Sequence, residues 1–119
     1  MGTDKRRLDE TRSGTTRRVE IGNKKVYLTA NTFGDGTLRE IFIRIDKEGS
    51  MLRCYDSLAI AVSIGLQHGV PLSVYADKLI GQTYEPQGIT SDPEIPIAKS
   101  ITDYIFRWLD ERYNKGEEK

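Results

Sequence analysis

Val19-Glu20-Ile21-Gly22-Asn23-Lys24-Lys25-Val26-Tyr27-Leu28-Thr29-Ala30 alternates apolar and polar residues on both sides of Gly22-Asn23. A half-buried strand hides every second side chain, and a Gly-Asn pair suits a two-residue reversal, so this stretch predicts a β-hairpin. Gly34-Asp35-Gly36 predicts a second tight turn, which leads into Leu38-Arg39-Glu40-Ile41-Phe42-Ile43-Arg44-Ile45. In that third strand Ile41, Ile43 and Ile45 point one way, while Leu38 lies beside Phe42 on the other side. The three strands predict an antiparallel meander with one apolar face.

After Gly49 the apolar period changes from two to about 3.6 residues. Ser50 is a suitable N-cap, and Met51, Tyr55, Leu58, Ala59, Val62 and Leu66 form one stripe of a helix that Gly69 can end. Ala59, Ala61, Ser63 and Gly65 are small enough for close approach to a sheet or another helix. Pro71 opens a shorter helix that Gly81 stops, and residues 82–92 read as a loop by their turn content. A last helix is expected from Pro93 or Pro96 to about Tyr113, with Ile97, Ile101, Ile105, Trp108 and Leu109 on its stripe. The fold class is α+β: a three-stranded antiparallel sheet followed by two or three helices packed on one face.

Outside this region the polar, Arg-, Thr- and Gly-rich residues 1–16 are expected to form a flexible basic arm. Residues 17–114 are expected to form one α+β domain, and residues 115–119 a disordered tail. The first eighteen residues carry six bases against three acids, yet the 119-residue chain as a whole has 18 of each. With no net charge there is no global field to draw it onto nucleic acid or an anionic membrane. One cysteine, Cys54, excludes an intrachain disulfide and a cysteine-rich zinc site. No apolar run approaches the ~20 residues that cross a bilayer, so the expectation is a cytoplasmic protein.

Candidate catalytic groups are few. His68 sits at the expected end of a helix, where a cation is favoured by the helix dipole, and no orienting partner marks it as a general base. Cys54 falls mid-helix and reads as a small hydrophobe. The Asp46-Lys47-Glu48-Gly49-Ser50 segment joins a strand to a helix N-terminus. Lys47, Gly49 and Ser50 are therefore the candidate phosphate site, weighed against a simple glycine turn with a serine cap. Asp92, before Pro93 and Glu94, reads as a cap. Phe106 and Arg107 fall outside the apolar stripe of the last helix and are the candidate partner contacts. No metal site and no cofactor are expected.

Several separate motifs occur in order along the chain: Gly36-Thr37-Leu38-Arg39-Glu40-Ile41-Phe42-Ile43, Lys47-Glu48-Gly49-Ser50, Tyr84-Glu85-Pro86-Gln87-Gly88, Asp92-Pro93-Glu94-Ile95 and residues 98–109. Together they resemble the C-terminal region of class II, adenosylcobalamin-dependent ribonucleotide reductases, a region related to a small domain named for a Thr-Ser-Cys-Pro-Asp motif. In those enzymes the resemblance implies radical chemistry on cysteines borne by other segments, and a single cysteine cannot take over those roles. At the naming motif this chain reads Thr90-Ser91-Asp92-Pro93, with Asp92 where the motif has cysteine.

The resemblance implies a non-catalytic accessory or interaction module linked to deoxyribonucleotide metabolism. Its expected partners are a second copy of the chain or a ribonucleotide reductase chain. The alternative is a small oligomeric protein that binds a nucleotide or another phosphorylated small molecule. An enzymatic reading has no residue set behind it.

Overall fold

The computed structural model describes residues 13–46 and 49–114. Strands β1 (Ser13–Ile21), β2 (Lys24–Thr32) and β3 (Leu38–Ile45) form one sheet in the order β1-β2-β3, the meander expected from the alternation. Gly22 turns the first hairpin with φ +61, a left-handed conformation that costs glycine no Cβ clash.

β1 begins at Ser13, so the last four residues assigned to the arm, 13–16, are strand, while residues 1–12 lie outside the described residues. The strand needs no apolar side chains there. The Thr16 and Thr29 hydroxyls share a hydrogen bond of 3.1 Å across the hairpin. Gly14 lets the backbones close, because a Cβ at that position would collide with the Asn31 carboxamide and the Ala30 carbonyl oxygen.

The described residues divide into two compact parts, the first holding 13–17 and those within Tyr27–Pro71, the second Arg18–Val26 and 72–114. In the first part, helix α1 (Gly49–Gln67) packs on β3. It buries Tyr55, Ala59, Val62 and Leu66 of the expected stripe, with Met51 and Leu58 half-buried, while Ile41, Ile43 and Ile45 are buried on β3. Leu38 departs from the expected grouping with Phe42: it is buried, whereas Phe42 is 51% exposed. Cys54 is exposed on α1 instead of buried. It precedes Tyr55, about a quarter-turn round the helix from the buried stripe.

β3 is an edge strand, and α1 satisfies part of its edge. Ser63 Oγ accepts from Ile41 N at 2.9 Å and donates to Ile41 O at 3.2 Å, and one turn later Gln67 Nε2 donates to Arg39 O at 3.2 Å. Residues i and i+4 share a helix face, so both side chains meet the same edge. The C-terminus of α1 closes as a Schellman motif, with Gly69 at φ +94, Gly69 N donating to Leu66 O and Val70 N to Gly65 O. The His68 ring lies 3.0 Å from Ile64 O, the capping position expected of it.

The second part contains α2 (Leu72–Leu79), the short antiparallel pair β4 (Gly88–Ile89) and β5 (Ile97–Ala98), α3 (Ile101–Leu109), and a π-helical continuation over Asp110–Asn114. The last helix starts at Ile101, later than the Pro93 or Pro96 expected from the sequence. Residues 93–100 instead make a turn and β5, because Ser100 is the N-cap: its Oγ accepts from Asp103 N at 2.9 Å. Ser100-x-x-Asp103 is a capping-box spacing that the two prolines obscured. α3 packs against α2 and β5. The tip of the first hairpin belongs to this part and joins the β4 loop: Gly22 N donates to Ile89 O at 3.1 Å and Ser91 N to Glu20 O at 3.0 Å. Among the described residues no helix is long and apolar enough to cross a membrane.

Candidate functional site

The motif residues Thr90, Ser91, Asp92, Pro93 and Glu94 form the loop between β4 and β5. Thr90 begins it with two roles: its N–H donates to Pro96 O at 2.8 Å, and its hydroxyl accepts from Asp92 N at 3.0 Å while reaching the carbonyl oxygen of Ile95. The same hydroxyl lies 3.2 Å from Asp92 O. Ser91 Oγ accepts from Glu20 N at 2.9 Å, which adds a side-chain bond to the backbone bond from Ser91 N. Threonine and serine therefore act as turn formers that substitute for backbone partners.

Asp92 is 4% exposed. One carboxylate oxygen accepts from Glu94 N at 3.0 Å, and the other accepts from the Tyr104 hydroxyl of α3 at 2.6 Å. The first bond makes an Asx turn, so the carboxylate caps the loop and not the N-terminus of a helix. The second fastens the loop to the fully buried Tyr104. A thiol, the side chain of the naming motif, is a weaker acceptor and could not draw the phenol this close.

A second carboxylate organises the same part of the molecule. Asp103, 1% exposed, accepts from Gly81 N at 2.7 Å and Lys99 N at 2.9 Å, and pairs with Arg107 Nη1 at 3.3 Å. It thus joins the end of α2, the approach to α3 and α3 itself. Ser100 Oγ donates to Gln82 O at 2.7 Å, and the Tyr84 and Thr102 hydroxyls are in contact, tying the loop after α2 to the start of α3. Among the described residues no buried side-chain nitrogen or oxygen lacks a partner, and no group of three or more His, Cys, Asp or Glu is placed to hold a metal. The buried polar groups of the loop hold the fold together.

The residues singled out from the sequence are dispersed. Phe106, expected on an exposed contact surface, is fully buried, its ring centroid 6.5 Å from that of Tyr75. α3 is buried on several sides over its first two turns, so a position outside its main stripe still faces the interior. Arg107 is half-buried and occupied: besides Asp103, its Nη1 donates to Ile97 O at 2.8 Å. Phe106 is therefore a core residue, not the exposed partner contact expected from the sequence. Lys47 lies outside the described residues. Gly49 and Ser50 are the first two residues of α1, and Gly49 borders an open cleft in the first part of the molecule. The Asp92–Tyr104 and Asp103 clusters are not apparent in the sequence, where the Ser100-x-x-Asp103 spacing is the one signal of them.

The TSCPD domain pattern matches residues 4–113 of the chain. The vitamin B12-dependent ribonucleotide reductase of Streptantibioticus cattleyicolor is 44% identical over 106 residues, covering 88% of this chain and 18% of the relative. The protein of the same name from Bradyrhizobium diazoefficiens is 43% identical over 108 residues, with coverage of 89% and 9%, and that from Rhodopirellula baltica is 41% identical over 113 residues, with coverage of 94% and 11%. The chain thus spans less than a fifth of the length of these relatives. No solved structure matches it.

Proposed function

This chain belongs to the TSCPD domain family, and from that premise we propose that it is a non-catalytic accessory module of the ribonucleotide reductase type, serving deoxyribonucleotide metabolism by docking on a reductase chain. The observation that carries the reading is the state of the motif loop. Its central side chain, Asp92, is buried and its carboxylate oxygens accept from the Glu94 amide and the Tyr104 hydroxyl. A general acid, base or nucleophile must reach a substrate atom, and this one is enclosed. A loop built to be rigid supports a recognition or assembly role better than a chemical one. The extent of the likeness supports the same reading, since nearly all of this chain corresponds to a small share of each reductase.

The test pairs this protein with a vitamin B12-dependent reductase from which the matching segment has been deleted. Sedimentation velocity should show the two chains associating at micromolar concentration, the range of specific protein pairs, and the purified chain by itself should form no deoxyribonucleotide. Absence of association, or ribonucleotide turnover by the isolated chain, overturns the reading.

A further inference from the structure

The first compact part holds an open cleft of ≈ 790 Å³ built on the outer face of the sheet and the N-terminal turns of α1. We propose that this cleft binds a free nucleoside phosphate, with the base against Phe42 and the phosphate drawn to Arg53. The inference is independent of the accessory role and concerns a different part of the chain.

Strand alternation puts Phe42 on the face opposite Ile41 and Ile43, so its ring stands half in solvent at the floor of the cleft. An exposed ring on a sheet offers a flat surface for stacking, the sequence-tolerant way in which proteins hold bases. Two residues further on the same face, the Arg44 guanidinium lies 4.8 Å from the Tyr27 ring centroid. That stacking fixes the cation in place, while its contact with Asp46 is loose at 3.9 Å. Across the cleft Arg53 projects from α1, exposed and with no ion-pair partner among the described residues.

Among the described residues the charged groups lining the cleft are Arg44, Arg53 and Asp56, and of the two cations Arg44 already contacts Asp46, which leaves Arg53 for a ligand. An anion is favoured there, and a carboxylate beside two guanidinium groups adds an acceptor for an amino or hydroxyl group of the same ligand. The Thr16 and Thr29 hydroxyls, also in the lining, offer donors and acceptors to a sugar or base edge. Gly49, the first residue of α1, borders the cleft and contributes no side chain, and a Cβ there would meet no atom of the described residues within 4 Å. Aromatic face, guanidinium group and hydroxyls are the complement of base, phosphate and sugar.

The occupant is a small molecule. The volume lies inside the ~300–1,000 Å³ range of ligand pockets. A polynucleotide would need a longer basic track than a neutral chain with two arginines at one cleft provides.

Calorimetric titration of the full chain with AMP, GMP, CMP and UMP, and separately with adenosine, inorganic phosphate and a short single-stranded oligonucleotide, is the test. At least one nucleoside monophosphate should bind at sub-millimolar concentration, and more tightly than adenosine or phosphate. Phe42→Ala and Arg53→Glu should each weaken that binding about tenfold or more, the loss of one stacked base or one charge-assisted bond. Phe42→Trp should preserve it. Both positions are exposed, so the folds should survive, and amide chemical-shift changes in the unaltered protein should cluster on β3 and the first turns of α1 whatever the variants do. The proposal is overturned if no mononucleotide binds at millimolar concentration, if the oligonucleotide alone binds, if the shifts cluster elsewhere, or if both variants bind as the parent does. Because no reductase is present, failure here leaves the accessory reading standing.

Discussion

Replacing Tyr104 with Phe removes a single oxygen from the interior and tests whether Asp92 is a structural clasp. The phenol donates to the Asp92 carboxylate at 2.6 Å, with the carboxylate 4% and the tyrosine 0% exposed. A hydrogen bond to a charged acceptor contributes about 1.5–3 kcal/mol net. The ring stays in place, so packing losses are small, and the expected cost is about 2 kcal/mol. In a chain of this size that lowers the thermal midpoint by roughly 6–12 °C. Urea titration followed by fluorescence of Trp108, the single tryptophan and a residue of α3, reads the change where it occurs.

The same logic extends to Asp92→Cys, which writes the naming motif's residue back into the loop. The thiol should lose most of the stabilisation, and the Asp92→Cys, Tyr104→Phe double variant should fall little further than either single one. The coupling in that cycle should exceed about 1 kcal/mol, as expected for residues in direct contact. A Tyr104→Phe variant within about 0.5 kcal/mol of the parent, the scatter of an unimportant substitution, would refute the clasp.

Asp103→Ala should cost about 3–5 kcal/mol, because it strands the amides of Gly81 and Lys99 and the Arg107 cation together; a loss below about 1 kcal/mol in urea titration would contradict that role. Ser63→Ala should cost about 1–2 kcal/mol and increase self-association, since it uncovers Ile41 N and O on the edge of β3. Light scattering reads the second effect, and the same measurement on the parent, whose sequence leads us to expect pairing with a second copy, should give a mass above the 13.5 kDa of one chain; a strict monomer at high concentration counts against that expectation. Burial holds the Tyr75 hydroxyl above its ordinary value of 10.0. The folded chain keeps that proton longer than the unfolded one, so this contribution to stability is complete below pH 10 and declines as pH rises beyond it. Tyr75→Phe should flatten that part of the stability profile, and an unchanged profile would assign the decline to other groups.

Local order was legible in the sequence wherever one face of an element is buried and the other is wet. The alternation through Val26, Leu28 and Ala30, the stripe Tyr55, Ala59, Val62 and Leu66, and the glycine stops at Gly69 and Gly81 carry that signal, and the sheet, α1 and α2 formed where it placed them. The signal fails where an element is enclosed on more than one side. α3 buries Ile101 through Phe106 without interruption, so periodicity could not separate Phe106 from the interior or locate the first helical residue behind Pro93 and Pro96. Of the candidate phosphate residues, Gly49 was placed at a helix start and borders a cleft, but the aromatic and cationic groups around it come from β2, β3 and α1. The sequence by itself determined the α+β class and the order of its elements, because periodicity and turn chemistry are properties of neighbouring residues. Tertiary structure alone decided that Asp92 meets Tyr104, that Asp103 gathers Gly81, Lys99 and Arg107, and that Ser63 closes the edge at Ile41. Those partners lie up to 22 residues apart, and hydrogen bonds at that separation depend on how the elements pack, about which residue spacing carries no information.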